Sequence, residues 1–357
     1  MKGLELIVKT PLGLERIVAS RIEELGVRCR VTAKPGGYPG IVAVDSVLDE
    51  EKVELAERIK REIPEAERVL VSQEVVEAEE DEIVEAALRI SRRSLNRDTS
   101  FAVRTVRRGS HRYRSVDINH RVGAAVVREV DAPVDLEYPD KILWVEIIDD
   151  LAALGVLDGR EVWRKRSPEK RDVRRFFSRA SVVQMPYLGP RDAARSMGSR
   201  IGRAVQMFEV GELVIAVAGA VDARQLGWFI QGVLEGVESR FRVQQRTYAH
   251  KPRRVEVRVQ DLYQLVRDRR GEPKVVFEPE GEAFPSVAGR LADLFLSGEK
   301  RINLFFGSRE GIPKGIFRLA DLIIDLCPGI TLSTEYAASS ALIGIAFALE
   351  EKIKDQE

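Results

Sequence analysis

The feature that most constrains this chain is the alternation of short apolar runs with amphipathic segments from residue 191 to the C-terminus. Residues 191–207 have helical periodicity, 212–218 (ELVIAVA) form an apolar run, and Asp222 stands where a side chain caps a following helix. Apolar runs recur at 255–259, 274–277, 301–306 and 322–326, with helical segments at 286–296 and 334–352. Strands separated by helices pair in parallel, because a parallel neighbour needs a long crossover. Open α/β sheets of this kind bind ligands beyond the carboxyl ends of their strands. Two loops at such ends carry glycine: GSREG (307–311) and CPG (327–329).

The first 160 residues have another pattern. Residues 4–9, 27–32, 41–44 and 68–76 are predicted strands; 14–25 and 50–63 are predicted helices, the second stopped by Pro64. The order strand, helix, strand, strand, helix, strand describes a small α+β unit, ferredoxin-like, over residues 1–75. A second unit over 76–160 has helices at 81–95 and 115–130, with Ser115 as the expected N-cap, and strands at 101–106, 134–136 and 142–148. Residues 160–179 then bring nine Arg or Lys against three acids. We read 161–185 as a basic linker and 186–357 as one α/β domain.

Net charge is zero, with 57 basic and 57 acidic residues, so only the distribution of charge is informative. The densest basic cluster is Arg104, Arg107, Arg108, His111, Arg112 and Arg114, with Tyr113 inside it. Guanidinium groups grip phosphate in pairs of hydrogen bonds and stack on bases, and a tyrosine ring adds a stacking face. In the linker, Lys165, Arg166, Arg174 and Arg175 are further candidates to track a nucleic-acid backbone. By contrast, residues 77–82 hold five acids, so binding is expected on one side only. Two distant cysteines, Cys29 and Cys327, exclude a disulfide framework and suit a reducing cytoplasm; with three histidines they make a metal site improbable on composition. No apolar run is long enough to span a bilayer, and the first residues do not form a signal peptide.

The segment FAVRTVRRGSHRYRSVDINHRVGAAVV, followed by VDLEYPDKILWVEII, resembles the THUMP domain. The likeness lies in a strand bearing basic residues, an R-G-x-H turn, a helix containing Val122-Gly123, and the V-D-L-x-x-P-D run. In that family the domain follows a ferredoxin-like unit and occurs in proteins that modify transfer RNA. The resemblance implies binding of the acceptor end of a tRNA.

The stretch from 301 to 349 resembles the SPOUT class of RNA methyltransferases. That class implies an α/β domain with a mainly parallel sheet, whose chain end threads a loop to form a trefoil knot, and usually a homodimer. Over roughly residues 210–352 the resemblance also implies S-adenosyl-L-methionine as cofactor, held by three loops: 278–281, 307–311 and 326–334. Carried onto this sequence, the binding positions are Glu280, Gly281, Phe306, Gly307, Gly311, Leu326, Pro328, Ile330, Leu332 and Thr334. Leu326, Ile330 and Leu332 are the candidates for an apolar adenine slot. Arg309 is the candidate to hold substrate phosphate and Glu310 to act as a base; Glu335 is read as a helix-start acid favoured by the dipole.

Rival chemistries lack their motifs. There is no Asn/Asp-Pro-Pro-Tyr/Phe of Rossmann methyltransferases, no Ser-Gly-Gly-x-Asp-Ser of thiouridine synthetases, no C-x-x-C of zinc deaminases, and no G-x-G-x-x-G after a strand. The remaining alternative is an RNA-binding adapter without enzymatic activity, which has no need of S-adenosylmethionine.

Overall fold

All but one of the predicted strands find their partners in one of three sheets. The computed structural model describes residues 3–165, 167 and 169–356. These divide into two units, 1–168 and 169–357.

The first unit runs β1 (Leu6–Lys9), α1 (Glu15–Glu24), β2 (Arg30–Ala33), β3 (Ile41–Asp45), α2 (Asp49–Glu62), β4 (Arg68–Val71), β5 (Glu74–Glu77), α3 (Glu80–Ser94), β6 (Phe101–Arg108), α4 (Ser115–Val130), β7 (Lys141–Ile148) and β8 (Leu151–Asp158). Strands β2-β3-β1-β4 form an antiparallel sheet in ferredoxin-like order. Strands β5-β8-β7-β6 form a second sheet in which only β6 and β7 are parallel. One face of the first sheet packs on α1 and α2 through Leu6, Val8, Val18, Ile22, Leu55 and Ile59. One face of the second packs on α3 and α4 through Ile83, Ile90, Ile118 and Val122. The other two faces meet each other: Ile7, Ile41 and Leu70 lie against Ile142, Trp144 and Ile148. The unit is therefore four layers, helix–sheet–sheet–helix, and each sheet is buried on both sides.

Three local expectations change. The expected strand at 68–76 is two strands in two sheets. Between them Ser72 is buried; its amide donates to the Glu5 carbonyl and its hydroxyl to the Leu4 carbonyl, while the Gln73 amide crosses to Leu154. Residues 134–136 form an isolated bridge, Phe101 to Val134, with no strand. Ser115 is the first helical residue of α4; the cap is Arg114, whose amide is held by the Asp117 carboxylate at 2.8 Å.

The second unit runs α5 (Arg174–Phe177), β9 (Ala180–Gln184), α6 (Arg191–Phe208), β10 (Glu212–Val217), α7 (Ala223–Thr247), β11 (Glu256–Asp261), α8 (Leu262–Asp268), β12 (Lys274–Ala283), α9 (Phe284–Leu296), β13 (Ile302–Phe306), α10 (Lys314–Phe317), β14 (Leu322–Asp325) and α11 (Thr334–Lys354). Its six strands are all parallel, in the order β11-β10-β9-β13-β12-β14. The chain order reverses between β9 and β13, where a parallel sheet opens a crevice. The segment read as linker, 161–185, thus contains the central strand β9, buried throughout, and the buried anchors Phe176 and Phe177. Asp222 caps α7 through the Gln225 amide at 2.9 Å, as its position predicts.

Helices α6 and α7 approach at backbone distance. A Cβ at Gly198 would stand 2.3 Å from the Phe229 carbonyl oxygen, and one at Gly232 2.0 Å from that of Arg195. Only glycine permits that approach, and an alanine there would have to push two helices apart.

Candidate functional site

The site forms where β12, β13 and β14 end. Parallel pairing in register, Phe277 with Phe306 and with Ile324, brings three carboxyl-terminal loops side by side. Phe277 forms the floor, and its ring stacks on that of Phe306 beneath it at 4.9 Å with 2° between planes. Beyond Phe277 the strand bulges, so that both Phe277 and Glu282 face Ile324. Residues 278–281 thereby leave the ladder, and Glu278 and Pro279 reach the cleft.

The cleft encloses about 200 Å³ and is lined by residues of all three loops. Gly307, Gly311, Arg309, Leu326, Ile330, Leu332 and Thr334 lie in its wall, as do Phe277, Cys327 and Ala337. Four other cofactor candidates do not line it. Phe306 is fully buried beneath the floor. Gly281 packs on the neighbouring strand, where a Cβ would stand 2.4 Å from the Ile324 nitrogen. Glu280 is exposed and ion-paired with Lys314, which lowers its pKa. Pro328 is exposed, outside the cleft lining. Arg309 lies over the Tyr187 ring at 4.5 Å and donates to its hydroxyl. Glu310 is exposed beside the cleft. Glu335 is buried in the first turn of α11 and pairs with Arg200 at 2.9 Å, so it acts as a helix-start acid tied to α6.

Sequence reasoning placed Glu278 in the first cofactor loop but assigned it no role of its own, and the structure gives it one. Its Oε1 accepts the Ile312 amide at 2.7 Å and holds the loop after β13 against the end of β12. Burial raises its pKa, and the Ile312 hydrogen bond opposes that shift. Gly307 fits because it has no side chain: a Cβ there would be 2.4 Å from Glu278 Oε1 and 2.7 Å from the Gly311 Cα. Gly311 has φ of 69°, a left-handed turn that favours glycine. Gln184, buried at the end of β9, donates to the Gly307 carbonyl at 2.9 Å and fixes the same loop from the other side. The cleft thus combines an apolar slot, exposed loop backbone, two carboxylates (Glu278 and Asp325) and one guanidinium. That donor set suits a ligand with a flat apolar ring and a cationic, zwitterionic tail.

The basic cluster of the first unit is only partly outward. Arg104 and Arg112 are exposed, as is Arg114, which pairs with Asp117 at 3.0 Å. Arg108 turns inward to the buried Glu146 at 2.7 Å, which also pairs with Lys9. Arg107 donates to the Gly109 carbonyl at 3.1 Å and faces His111 Nδ1 at 3.2 Å. His111 Nε2 lies 2.7 Å from the Asp149 carbonyl, which fits a proton on Nε2 and an acceptor at Nδ1. Tyr113 is 8% exposed and donates its hydroxyl to the Ala78 carbonyl at 2.5 Å. The expected stacking role of Tyr113 is therefore corrected: its ring belongs to the core. Of the linker candidates, Lys165 and Arg175 are exposed, Arg174 pairs with Asp172 at 2.6 Å and touches His250, and Arg166 lies outside the described residues.

Comparison with known proteins follows the same division. The family model described as AF2226-like SPOUT RNA methylase fused to THUMP matches residues 174–357, and the THUMP domain model matches 77–157. An uncharacterized protein of Methanocaldococcus jannaschii is 40% identical over 345 residues, 96% of this chain and 93% of the relative. A probable tRNA sulfurtransferase of the same organism is 39% identical over 77 residues, 20% of each chain. Among solved structures, the SpoU methyltransferase AviRb of Streptomyces viridochromogenes aligns at 13% identity over 79% of this chain and 90% of its own, with a TM-score of 0.33.

Proposed function

Because the chain belongs to the AF2226-like SPOUT RNA methylases fused to THUMP, we propose that it methylates RNA, most specifically transfer RNA, with S-adenosyl-L-methionine as methyl donor. The observation that carries this reading is the glycine cradle at the ends of β12–β14, which closes over an apolar slot. The tRNA assignment draws on the THUMP domain and on the sulfurtransferase named as a tRNA enzyme.

In this reading Leu326, Ile330 and Leu332, which line the cleft, would hold the adenine, and loop backbone at 307–311 and 327–334 would supply its hydrogen bonds. Bound, the cofactor supplies an electrophilic methyl group on a sulfonium. Glu278 and Asp325 set a negative field at that end of the cleft, which favours a cation there. Arg309, stacked on Tyr187, is aimed to hold an RNA phosphate at the mouth. Glu310, exposed beside it, takes the proton when the acceptor is a hydroxyl or amide-like nitrogen. Positioning and exclusion of water supply most of the acceleration. Arg104, Arg112 and Arg114 present the first unit's RNA-facing charge.

The exposed residues Tyr336, Ile343 and Phe347 form one apolar stripe along α11, which supports a homodimer. Cys29 and Cys327 are free thiols, and no helix among the described residues is long and apolar enough to cross a membrane; both facts accord with a cytoplasmic site of action.

The test is transfer of labelled methyl from S-adenosylmethionine into unmodified tRNA, with ribosomal RNA in parallel. Label in tRNA that is lost in a Gly307→Trp variant is the expected result. No label in either RNA and no cofactor binding would leave an RNA-binding adapter.

A further inference from the structure

The opposite edge of the second unit's sheet is unexpectedly basic. Strands β9, β10, β11 and β13 all begin there, with Ser181, Glu212, Glu256 and Arg301 at or beside their first residues. In open parallel sheets the ligand end is the carboxyl end, so this edge should need no surplus charge. Many of its charges are matched. Glu212 is shared by Arg269 at 3.0 Å and Arg301 at 3.4 Å, Glu256 pairs with Arg258 at 2.8 Å, and Glu272 pairs with Arg301 at 3.0 Å. Beside them Glu209 meets His250 at 2.9 Å and Asp172 meets Arg174.

Four cations are left without a carboxylate among the described residues. Arg253 donates to the Ser178 carbonyl at 3.3 Å and the Gly211 carbonyl at 2.9 Å. Arg179 donates to the Glu299 and Phe295 carbonyls. Arg175 stacks on Phe176 at 4.8 Å, and the Lys300 ammonium has no side-chain partner among those residues. Carbonyl oxygens and an aromatic face orient a guanidinium but leave its charge uncompensated. The four are contiguous. Ser178 and Arg253 line both a recess of about 190 Å³ that holds Arg179 and Lys300 and a neighbouring one of about 430 Å³ that holds Arg175.

We propose that Arg175, Arg179, Arg253 and Lys300 form a binding strip for the sugar-phosphate backbone of RNA, on the edge of the sheet remote from the cofactor cleft. The inference rests on the RNA-methylase reading and extends it: the catalytic unit grips RNA by itself, at a place away from the chemistry. A chain of phosphates can enter a cationic recess, whereas a bilayer surface needs a projecting face. Each phosphate neutralised releases counterions, so the strip contributes to the salt dependence of binding.

The experiment measures RNA affinity of the full chain against salt concentration for wild type, Arg175→Gln, Lys300→Gln and the double variant. These two side chains make no hydrogen bond that the fold depends on, and melting temperature with S-adenosylmethionine affinity checks that the fold is kept. Each substitution should flatten the plot of log affinity against log salt by about 0.7–0.9, which is roughly a five- to eightfold loss of affinity at 0.1 M salt per phosphate. The double variant should lose about 25- to 60-fold, with cofactor affinity unchanged. Wild-type binding whose slope none of the variants alters overturns the strip and leaves the methylase reading standing. A wild type that binds no RNA at all overturns both. Loss in the variants of binding to phosphatidylserine vesicles, with RNA binding intact, assigns the strip to a membrane and also overturns the proposal.

Discussion

Replacement of Gly307 by alanine tests the cradle with a single methyl group. Gly307 has no left-handed φ, so the alanine backbone itself is unstrained and the effect comes from contact alone. The new Cβ falls 2.4 Å from Glu278 Oε1 and 2.7 Å from the Gly311 Cα, both far inside contact distance. Glu278 must withdraw, and the bond it accepts from the Ile312 amide at 2.7 Å is lost. A hydrogen bond to a charged acceptor is worth about 1.5–3 kcal/mol. The clash with Gly311 backbone adds an overpacking cost of about 1–3 kcal/mol, part of which the loop relieves by opening. A cost of about 2 kcal/mol that falls on the binding-competent loop weakens cofactor affinity about 30-fold. The assay is calorimetric titration of S-adenosylmethionine, with thermal melting alongside. Glu278→Ala removes the same Ile312 bond, so the double variant should lose less than the sum of the two, with a coupling of about 0.5–3 kcal/mol. A Gly307→Ala protein that binds within twofold of wild type and melts at the same temperature would refute the close-packed cradle.

Four further outcomes follow from individual side chains. Burial raises the Glu278 pKa, so its neutral form is favoured in the folded state; that contribution is complete in acid and is lost as pH climbs through the raised value. Glu278→Gln should therefore gain stability relative to wild type between acid and neutral pH in denaturant titrations, and parallel curves would contradict the assignment. Glu15 is held down to about 2, chiefly by the Gly40 amide at 2.7 Å and also by the Gly13 amide. Its contribution is full above the ordinary glutamate range of about 4.3 and fades as pH falls toward 2. Glu15→Gln should thus destabilise the first unit at neutral pH and converge with wild type in strong acid. Tyr113→Phe should cost about 1 kcal/mol of stability with RNA affinity unchanged, because its hydroxyl serves Ala78. Arg112→Ala should weaken RNA binding at unchanged melting temperature; loss of RNA affinity in the tyrosine variant would instead place its hydroxyl against RNA and contradict the Ala78 assignment.

Local pattern revealed the parts of this molecule that local pattern creates. The βα alternation after residue 191 predicts the parallel sheet because successive strands there are separated by helix-bearing connections long enough to cross over. Strand β9 escaped because five buried residues follow a block dense in arginine, and composition over such a window reports the arginines. The break at Ser72 escaped because both halves are apolar and extended; only two separate sheets, one calling for the Glu5 carbonyl and the other for Leu154, divide them. The same reasoning separates Gly307 from Glu278. A glycine-bearing loop after an apolar strand announces a close approach, so the cradle was legible. Glu278 lies in the run EPEGE, legible as a cofactor loop, but nothing in that run sets it apart from Glu280, which is exposed and paired with Lys314. What turns Glu278 inward is the bulge that sets Phe277 and Glu282 against one residue of β14, together with an amide 34 residues further on. A side chain whose role is fixed by a partner loop and a lost register carries no mark of it in its own neighbourhood. Sequence reading therefore finds the loops of such a site before it finds the carboxylate that ties them together.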